Sequence, residues 1–301
     1  MMTAEIHHSW SGVLLTDEPM ARHTSWRVGG TADYFYQPTS IDDLSVFLRE
    51  SDPSLPLTWL GLGSNMLVRD GGIRGIVIHL LSGMKNIELL DESLVRVEVG
   101  AASARVARFC ANNNLSGAEF LAGIPGLFGG ALSMNAGAFG GETWRIVDSV
   151  EMMDRQGNLI QRSVDDFTVD YRSVTGPENE WFVAANIRLT PGCSAESKSR
   201  LRDLLEKRNS SQPVGTANAG SVFKNPPADH AARLIDFCGL KGARIGGAVV
   251  SGKHANFIIN KGNCCAADIE KLIQHVQRVV AEKTGVELQT EVHIIGEAAN
   301  D

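Results

Sequence analysis

The sequence predicts an α+β protein of two or three domains, and three observations carry that prediction. Apolar residues recur with period two in "IVIHL" (76–80) and "LVRVEVG" (94–100), the spacing of half-buried strands. They recur with helical spacing from about 266 to 283, where Ile269, Leu272, Ile273, Val276 and Val280 share one face. Between these regions "CSAESKSRLRDLLEKRNSSQ" (193–212) reads as a polar helix with few apolar anchors, a bridge that puts a domain boundary near residue 199.

Each element follows from local chemistry. Residues 40–50 read as a helix with Ser40 as N-cap, Asp43 at the third position, and Leu44, Phe47 and Leu48 on one face. "LPLTWLGLGSNMLV" (55–68) is an apolar strand running into a glycine turn. A helix is expected over about 102–114. Alternating residues around Gln156, Gly157 and Asn158 predict a hairpin in "VEMMDRQGNLIQ" (150–161), and "WFVAANIRL" (181–189) is expected to close that sheet. Beyond the bridge come a helix from Asp229 ended by Gly239, a strand "ANFIIN" (255–260), the helix at 266–283 and a last strand, "VELQTEVHIIG" (286–296). The C-terminal hundred residues thus form an α+β domain of their own.

Composition narrows the function. The chain has 301 residues, 43% of them hydrophobic, and a net charge of −7 with no basic run, which argues against a nucleic-acid partner. No apolar stretch reaches membrane-spanning length, and "MMTAEIHHSW" has neither the basic nor the apolar part of a leader, so a cytoplasmic location is expected. The five cysteines form no C-x-x-C and read as reduced, buried fillers rather than a disulfide frame or zinc site. The pair His7 and His8 lacks other ligands nearby, so no metal is expected.

Two glycine loops invite comparison with nucleotide-binding motifs, and both fail it. "GLGSNM" (61–66) has Met66 where a dinucleotide fingerprint needs its third glycine, and strand rather than helix follows. "GAVVSGKH" (247–254) has His254 where a P-loop needs Ser or Thr. A different signal lies at 123–141, "GIPGLFGGALSMNAGAFGG", with seven glycines in nineteen residues and no charge. A flexible linker would be polar, so this composition points to backbone packed closely against something flat and apolar, with main-chain N–H groups free to cradle a pyrophosphate. A flavin dinucleotide fits that description. The plainer alternative is a tight turn between domains.

Seven segments then carry a resemblance: "HTSWRVGGTADYF" (23–35), "GLGSNMLV" (61–68), "EFLAGIPGLFGGALSMNAGAFGGE" (119–142), "DYRS" (170–173), "AGSVFKNP" (219–226), "GAVVSGKHANFIIN" (247–260) and "QTEV" (289–292). In this order and over nearly the whole chain they resemble the UDP-N-acetylenolpyruvoylglucosamine reductase family, in its shorter subtype. The resemblance implies a two-subdomain FAD-binding fold of the vanillyl-alcohol-oxidase (PCMH) type, at 1–75 and 76–198, plus a C-terminal α+β substrate-binding domain at 199–301. It implies NADPH as reductant and the enolpyruvyl ether of UDP-N-acetylglucosamine as substrate, giving UDP-N-acetylmuramate for peptidoglycan synthesis. Related oxidases often bind flavin through a histidine, which "GLGSNMLV" lacks, so FAD is expected to be noncovalent. A monomer is expected.

Residue by residue, the resemblance assigns Ser221 as proton donor and Arg172 and Glu291 as stabilisers of the enediolate that forms when flavin N5 delivers hydride to the terminal enolpyruvyl carbon. Gly61, Gly63, Ser64, Asn65, Leu67, Gly123, Ile124, Pro125, Gly126, Gly129, Gly130, Asn135, Ala136, Gly137 and Ala138 are expected to hold FAD. Asn225, Lys224 and Tyr171 are expected to bind substrate. Gly220 permits close approach at Ser221. Lys224 would face away from Ser221 if the segment is a strand, which leaves its part in the chemistry open. Glu291 falls on a polar strand face with Glu287, Gln289 and His293, opposite Val286, Leu288, Val292 and Ile294. To assist a growing negative charge it must be protonated or act through a hydrogen bond, so burial raising its pKa is implied. Arg172 could otherwise be an ordinary surface ion-pair residue. The family pattern Y-R-x-S is broken by Val174, so the hydrogen bond of its second hydroxyl is lost or displaced. Two other readings are an FAD oxidoreductase of the same fold with a different substrate, and a flavin-binding protein without catalysis. "AGSVFKNP" and "QTEV" speak against both, since neither needs a serine acid and a carboxylate in a separate domain.

Overall fold

A computed structural model describes residues 9–299, so the pair His7 and His8 lies outside the described residues. The chain divides into two compact units: residues up to Leu15 with Phe35–Gly61 and Ile76–Ser197, and Thr16–Tyr34 with Leu62–Gly75 and the chain from Lys198 onward.

The first unit is built on a five-stranded antiparallel sheet, ordered Leu159–Ser163, Val147–Asp154, Glu180–Arg188, Leu94–Glu98 and Ile87–Leu89. The hairpin forms where expected, with Gly157 at φ 76° in its turn. The strand Glu180–Arg188 differs from expectation. It lies in the middle of the sheet rather than closing it, with Val183, Ala184, Ala185 and Ile187 fully buried. A run buried on both faces marks an interior strand, and its length in sequence gives no hint of its neighbours. Helix α1 (Ile41–Glu50) starts as predicted, the Ser40 hydroxyl accepting from the Asp43 N–H at 3.1 Å. Helix α2 (Ser103–Asn112) buries Val106, Ala107, Cys110 and Ala111. Burial, with Glu119 nearby, pushes the Cys110 thiol up to about 12, so it stays protonated and inert. Helix α3 (Phe128–Ser133) is a turn and a half inside the glycine-rich segment.

The second unit gathers distant pieces of chain. The polar segment forms helix α4 (Ser194–Ser211), as its composition predicts. Helix α5 (Ala231–Phe237) and helix α6 (Ala266–Thr284) pack on a small antiparallel sheet of Arg244–Ile245, Ala248–Val250 and Ile258–Asn260. All five predicted apolar positions of α6 are buried, and Gly285 ends it at φ 71°. Its first N–H groups, on Ala266 and Ala267, donate to the Asp70 carboxylate at 2.8 and 2.9 Å, placing an anion at the positive end of the helix. The last strand is only His293–Ile295, running parallel to Met66–Val68. Residues 286–292, expected to extend it, are irregular. Trp26 is fully buried, its indole N–H donating to the Ile258 carbonyl at 2.8 Å while Asn260 Nδ2 donates to the Trp26 carbonyl at 2.8 Å. Three cysteines depart from the buried-filler expectation, Cys193 and Cys265 being exposed and Cys264 half-buried. No helix among the described residues is long and apolar enough to cross a membrane.

Asp43 ties the start of α1 to the neighbouring chain, accepting from the N–H groups of Ser11 (2.6 Å), Gly12 (3.1 Å) and Thr39 (2.8 Å) and from the Tyr36 hydroxyl (2.8 Å). Burial alone would raise this carboxyl, but the hydrogen bonds together hold it below the usual carboxylate range. Its contribution to stability is therefore present above the unfolded value of about 3.9 and lost as pH falls through the lower folded value. Asp43→Ala strands these four donors and should lower stability by about 2–4 kcal/mol at pH 7, the deficit shrinking at acid pH. Thermal denaturation across pH checks this; a deficit that does not change with pH would contradict it.

Candidate active site

In the first unit, the glycine-rich segment and "DYRS" are joined by hydrogen bonds. The Glu119 carboxylate opens the segment, accepting from the Gly117 N–H (2.8 Å) and the Ser197 hydroxyl (2.7 Å). The loop 126–129 is stitched to residues 99–103: Ser103 N–H to the Gly126 carbonyl, Phe128 N–H to that of Ala101, and Gly129 N–H to that of Val99, at 3.1, 2.8 and 2.9 Å. A Cβ on Gly129 would lie 2.9 Å from the Val99 Cβ, so glycine is required there by packing. Gly126 sits at φ 127° and Pro125 is exposed beside it, while Ile124 is buried. A Cβ on Gly130 would meet nothing within 4 Å, and the residue is exposed.

Asn135 does more than line this loop. At φ 40° and 5% exposed, it accepts from the Trp144 N–H (Oδ1, 3.1 Å) and donates to the Asp170 carbonyl (Nδ2, 3.3 Å). Ala136, Gly137 and Ala138 follow, the last two pairing with Gly141 and Glu142 in a small hairpin. The Gly137 carbonyl accepts from Arg172 Nη2 at 3.0 Å. Arg172 is half-buried at the turn of a second hairpin, Thr168–Asp170 against Ser173–Thr175, and is held at φ 55°. The left-handed conformation costs an arginine about 1–2 kcal/mol, and a residue kept there against that cost marks a site where side-chain direction matters. Tyr171 is 51% exposed, its ring centroid 5.5 Å from the Arg172 guanidinium carbon. Val174, which breaks the family pattern, pairs with Val169 across the hairpin.

In the second unit, three motifs meet on one irregular ladder. Phe223 bridges Thr290, and the Lys224 N–H donates to the Gln289 carbonyl at 2.9 Å. The Val222 carbonyl accepts from both Glu291 (2.8 Å) and Val292 (3.4 Å), two residues against one, which is a β-bulge. The bulge interrupts the regular strand expected for 286–292. Asn65 closes the group, its Nδ2 donating to the Glu291 carbonyl at 3.0 Å and its own carbonyl accepting from the His293 N–H at 3.0 Å. Ser221 precedes the bulge, after Gly220 at φ 73°, and both it and Glu291 are half-buried. Asn225 is exposed and its Oδ1 accepts from the Ala231 N–H at the start of α5 (3.1 Å), which leaves its amide N–H groups for a ligand. Gly63 stands at φ 57° with a Cβ position 2.2 Å from the His23 carbonyl oxygen, next to Ser64. Leu67 is fully buried in the core of this unit, so its side chain serves packing. Gly61 belongs to the first unit, where a Cβ would touch Leu127 at 3.4 Å.

Asn256 and Trp26 each bond to remote backbone. Both lie in the quoted motifs, yet neither residue type nor spacing signals their role, which consists of bonds to backbone far away in the chain.

The fold and the open glycine loop fit an FAD-binding oxidoreductase. Residues 32–163 match the FAD binding domain family, and residues 212–295 match the family described as UDP-N-acetylenolpyruvoylglucosamine reductase, C-terminal domain. The structure is similar to that of 6-hydroxy-D-nicotine oxidase from Arthrobacter nicotinovorans, at a TM-score of 0.58 and 14% identity over 95% of this chain and 90% of that one, a likeness of fold alone. It is also similar to UDP-N-acetylenolpyruvylglucosamine reductase from Thermus caldophilus, with a TM-score of 0.80 and 30% identity over 94% and 98% of the two chains. Among curated relatives, UDP-N-acetylenolpyruvoylglucosamine reductase of Methylococcus capsulatus is 55% identical over 95% of this chain and 94% of its own, and that of Legionella pneumophila (strain Corby) 54% over the same shares. The chain belongs to the UDP-N-acetylenolpyruvoylglucosamine reductase family. It is an FAD-containing oxidoreductase of peptidoglycan precursor synthesis, and the family decides against an oxidase with another substrate and against a flavin carrier without catalysis.

A Cβ has open space at Gly130 and none at Gly129, so the expected cofactor contact at Gly130 can be tested apart from packing. Gly130→Ala should fold with unchanged thermal stability yet retain less flavin, whereas Gly129→Ala, which must displace Val99, should lose about 1–3 kcal/mol of stability. Flavin released per protein by acid precipitation, beside a melting curve, reads both. Full flavin in Gly130→Ala would remove that position from the cofactor site.

Proposed function

We propose that the chain reduces the enolpyruvyl ether with Ser221 as proton donor and with Arg172 and Glu291 acting on the developing enediolate. The observation that carries this reading is the bulged ladder that places Ser221 beside the segment bearing Glu291, within a chain whose relatives over 50% identical bear the reductase name. When bound, FAD would supply, as a hydride, the two electrons taken from NADPH for reduction of the enolpyruvyl group. The residues expected to hold it noncovalently are Gly61, Gly63, Ser64, Asn65 and the stretch from Gly123 to Ala138, mainly through backbone; Leu67 contributes by packing. No histidine lies in "GLGSNMLV" to make a covalent bond.

The substrate carboxylate is already negative, and hydride addition at the terminal carbon pushes further charge into it. Arg172, oriented by its bond to the Gly137 carbonyl, meets that charge with a fixed cation. Glu291 assists as a neutral acid or through a hydrogen bond, because a bare carboxylate would oppose the same charge. Ser221 gives its proton to the carbon next to the carboxylate and recovers one from water; the bend at Gly220 sets where its hydroxyl points. Asn225, Lys224 and Tyr171 bind the sugar nucleotide. Residues 1–75 and 76–198 form the flavin subdomains in this reading and 199–301 the substrate domain, which the two family matches support. In this reading the chain works as a monomer in the cytoplasm, where NADPH and nucleotide sugars are found.

Arg172→Ala should lower turnover about 10²- to 10³-fold while flavin content and NADPH-driven bleaching persist. Equal loss of bleaching would move Arg172 to the cofactor site. Ser221→Ala should leave bleaching by NADPH near wild type but slow the return of flavin absorbance on adding substrate by about 10²- to 10⁴-fold, with Ser221→Cys recovering part of the rate. Anaerobic stopped-flow absorbance separates the two halves. A substrate half-reaction as fast as wild type in Ser221→Ala would sink the acid assignment.

A further inference from the structure

We propose that Asn256 is a positioning residue for this reaction, clamping the backbone that carries Ser221. The inference rests on the reading of Ser221 as proton donor. Asn256 is only 4% exposed, and a buried carboxamide is costly unless its polar atoms are bonded. Here they are spent on one neighbour. Oδ1 accepts from the Phe223 N–H at 2.9 Å, Nδ2 donates to the Phe223 carbonyl at 2.8 Å, and the Asn256 main-chain carbonyl accepts from the Val222 N–H at 2.9 Å. A single residue thus does for one edge of the segment what an adjacent strand does elsewhere.

The other edge is taken by residues 289–292, through the Val222 carbonyl and the Lys224 N–H. Residues 222–224 are therefore gripped from both sides, and the grip begins at the residue after Ser221. On the upstream side Gly220 is held as well, its N–H donating to Asn218 Oδ1 at 2.9 Å. Asn256 is itself placed by a tight loop in which the Ser251 hydroxyl accepts from the Lys253 and His254 N–H groups and the Ser251 N–H donates to the Phe257 carbonyl. Loosening the clamp frees the peptide next to the acid without touching the acid. A displacement of about 1 Å in a reacting group costs on the order of 10² in rate.

The test uses full-length flavoprotein carrying Asn256→Ala, with Asn256→Asp as a second variant that keeps the volume and an acceptor for the Phe223 N–H but loses the donor. Anaerobic stopped-flow with NADPH should show bleaching within about twofold of wild type, since that half-reaction needs no proton from Ser221. Reoxidation by UDP-N-acetylenolpyruvoylglucosamine should slow roughly 10- to 10²-fold, less in Asn256→Asp, with KM for this substrate changed only a few-fold. Added to Ser221→Ala, Asn256→Ala should slow reoxidation no further, because no positioned acid remains. If Asn256→Ala is recovered without flavin, Asn256→Asp carries the same comparison. The proposal is overturned if Asn256 variants lose thermal stability while reoxidising at the wild-type rate, if both half-reactions slow alike, or if the same factor appears in the Ser221→Ala background. Should Ser221→Ala itself reoxidise normally, the acid assignment falls and the clamp with it, an outcome distinct from a slow Ser221→Ala beside a fast Asn256→Ala.

Discussion

The irregular ladder of the second unit turns on one shared acceptor, the Val222 carbonyl. Two successive N–H groups, from Glu291 and Val292, converge on it, and that two-to-one pairing breaks the alternation a plain ladder would impose on both segments. A regular antiparallel pair would place residues 222 and 291 on one face and residue 221 on the other. The bulge and the bend at Gly220 release the site from that rule. Asn65, bonded to the Glu291 carbonyl and to the His293 N–H, holds the bulged side in place and brings the glycine turn at 61–66 to the same ladder.

The first unit meets a comparable demand by backbone strain. Arg172, Asn135 and Phe139 all adopt positive φ, a conformation that residues with a Cβ avoid. Each makes bonds or close packing in that conformation. Asn135 reaches both Trp144 and Asp170, Arg172 reaches the Gly137 carbonyl, and the Phe139 ring covers the Cα of Gly123 so closely that a Cβ would stand 2.6 Å from it. The aromatic residues Trp144, Phe167 and Phe182 pack under this region with centroids 4.9–6.0 Å apart.

Much of this was legible in the sequence, because it depends on near neighbours. The cap at Ser40, the buried face of α6 and the hairpin at Gly157 follow from spacing and turn chemistry within a few residues, and all appear. The uncharged glycine-rich segment announced close backbone approach, and the ordered motifs pointed to the family that the comparisons show. Ser221, Glu291, Arg172 and Asn225 could be named from those motifs. Their geometry could not.

What only the tertiary structure decided lies in bonds between distant residues. The place of Glu180–Arg188 inside its sheet is a matter of which strands flank it, and a buried run reads the same in several sheet orders. The irregular path of 286–292, which alternates like a strand, comes from pairing with residues 222–224, more than sixty positions earlier. Trp26 bonds to Ile258 across 232 positions, and Asn256 to Phe223 across 33. Periodicity records which way a side chain faces relative to its own neighbours. It carries no record of the remote carbonyl that a buried amide will find, and on that the setting of Ser221 depends.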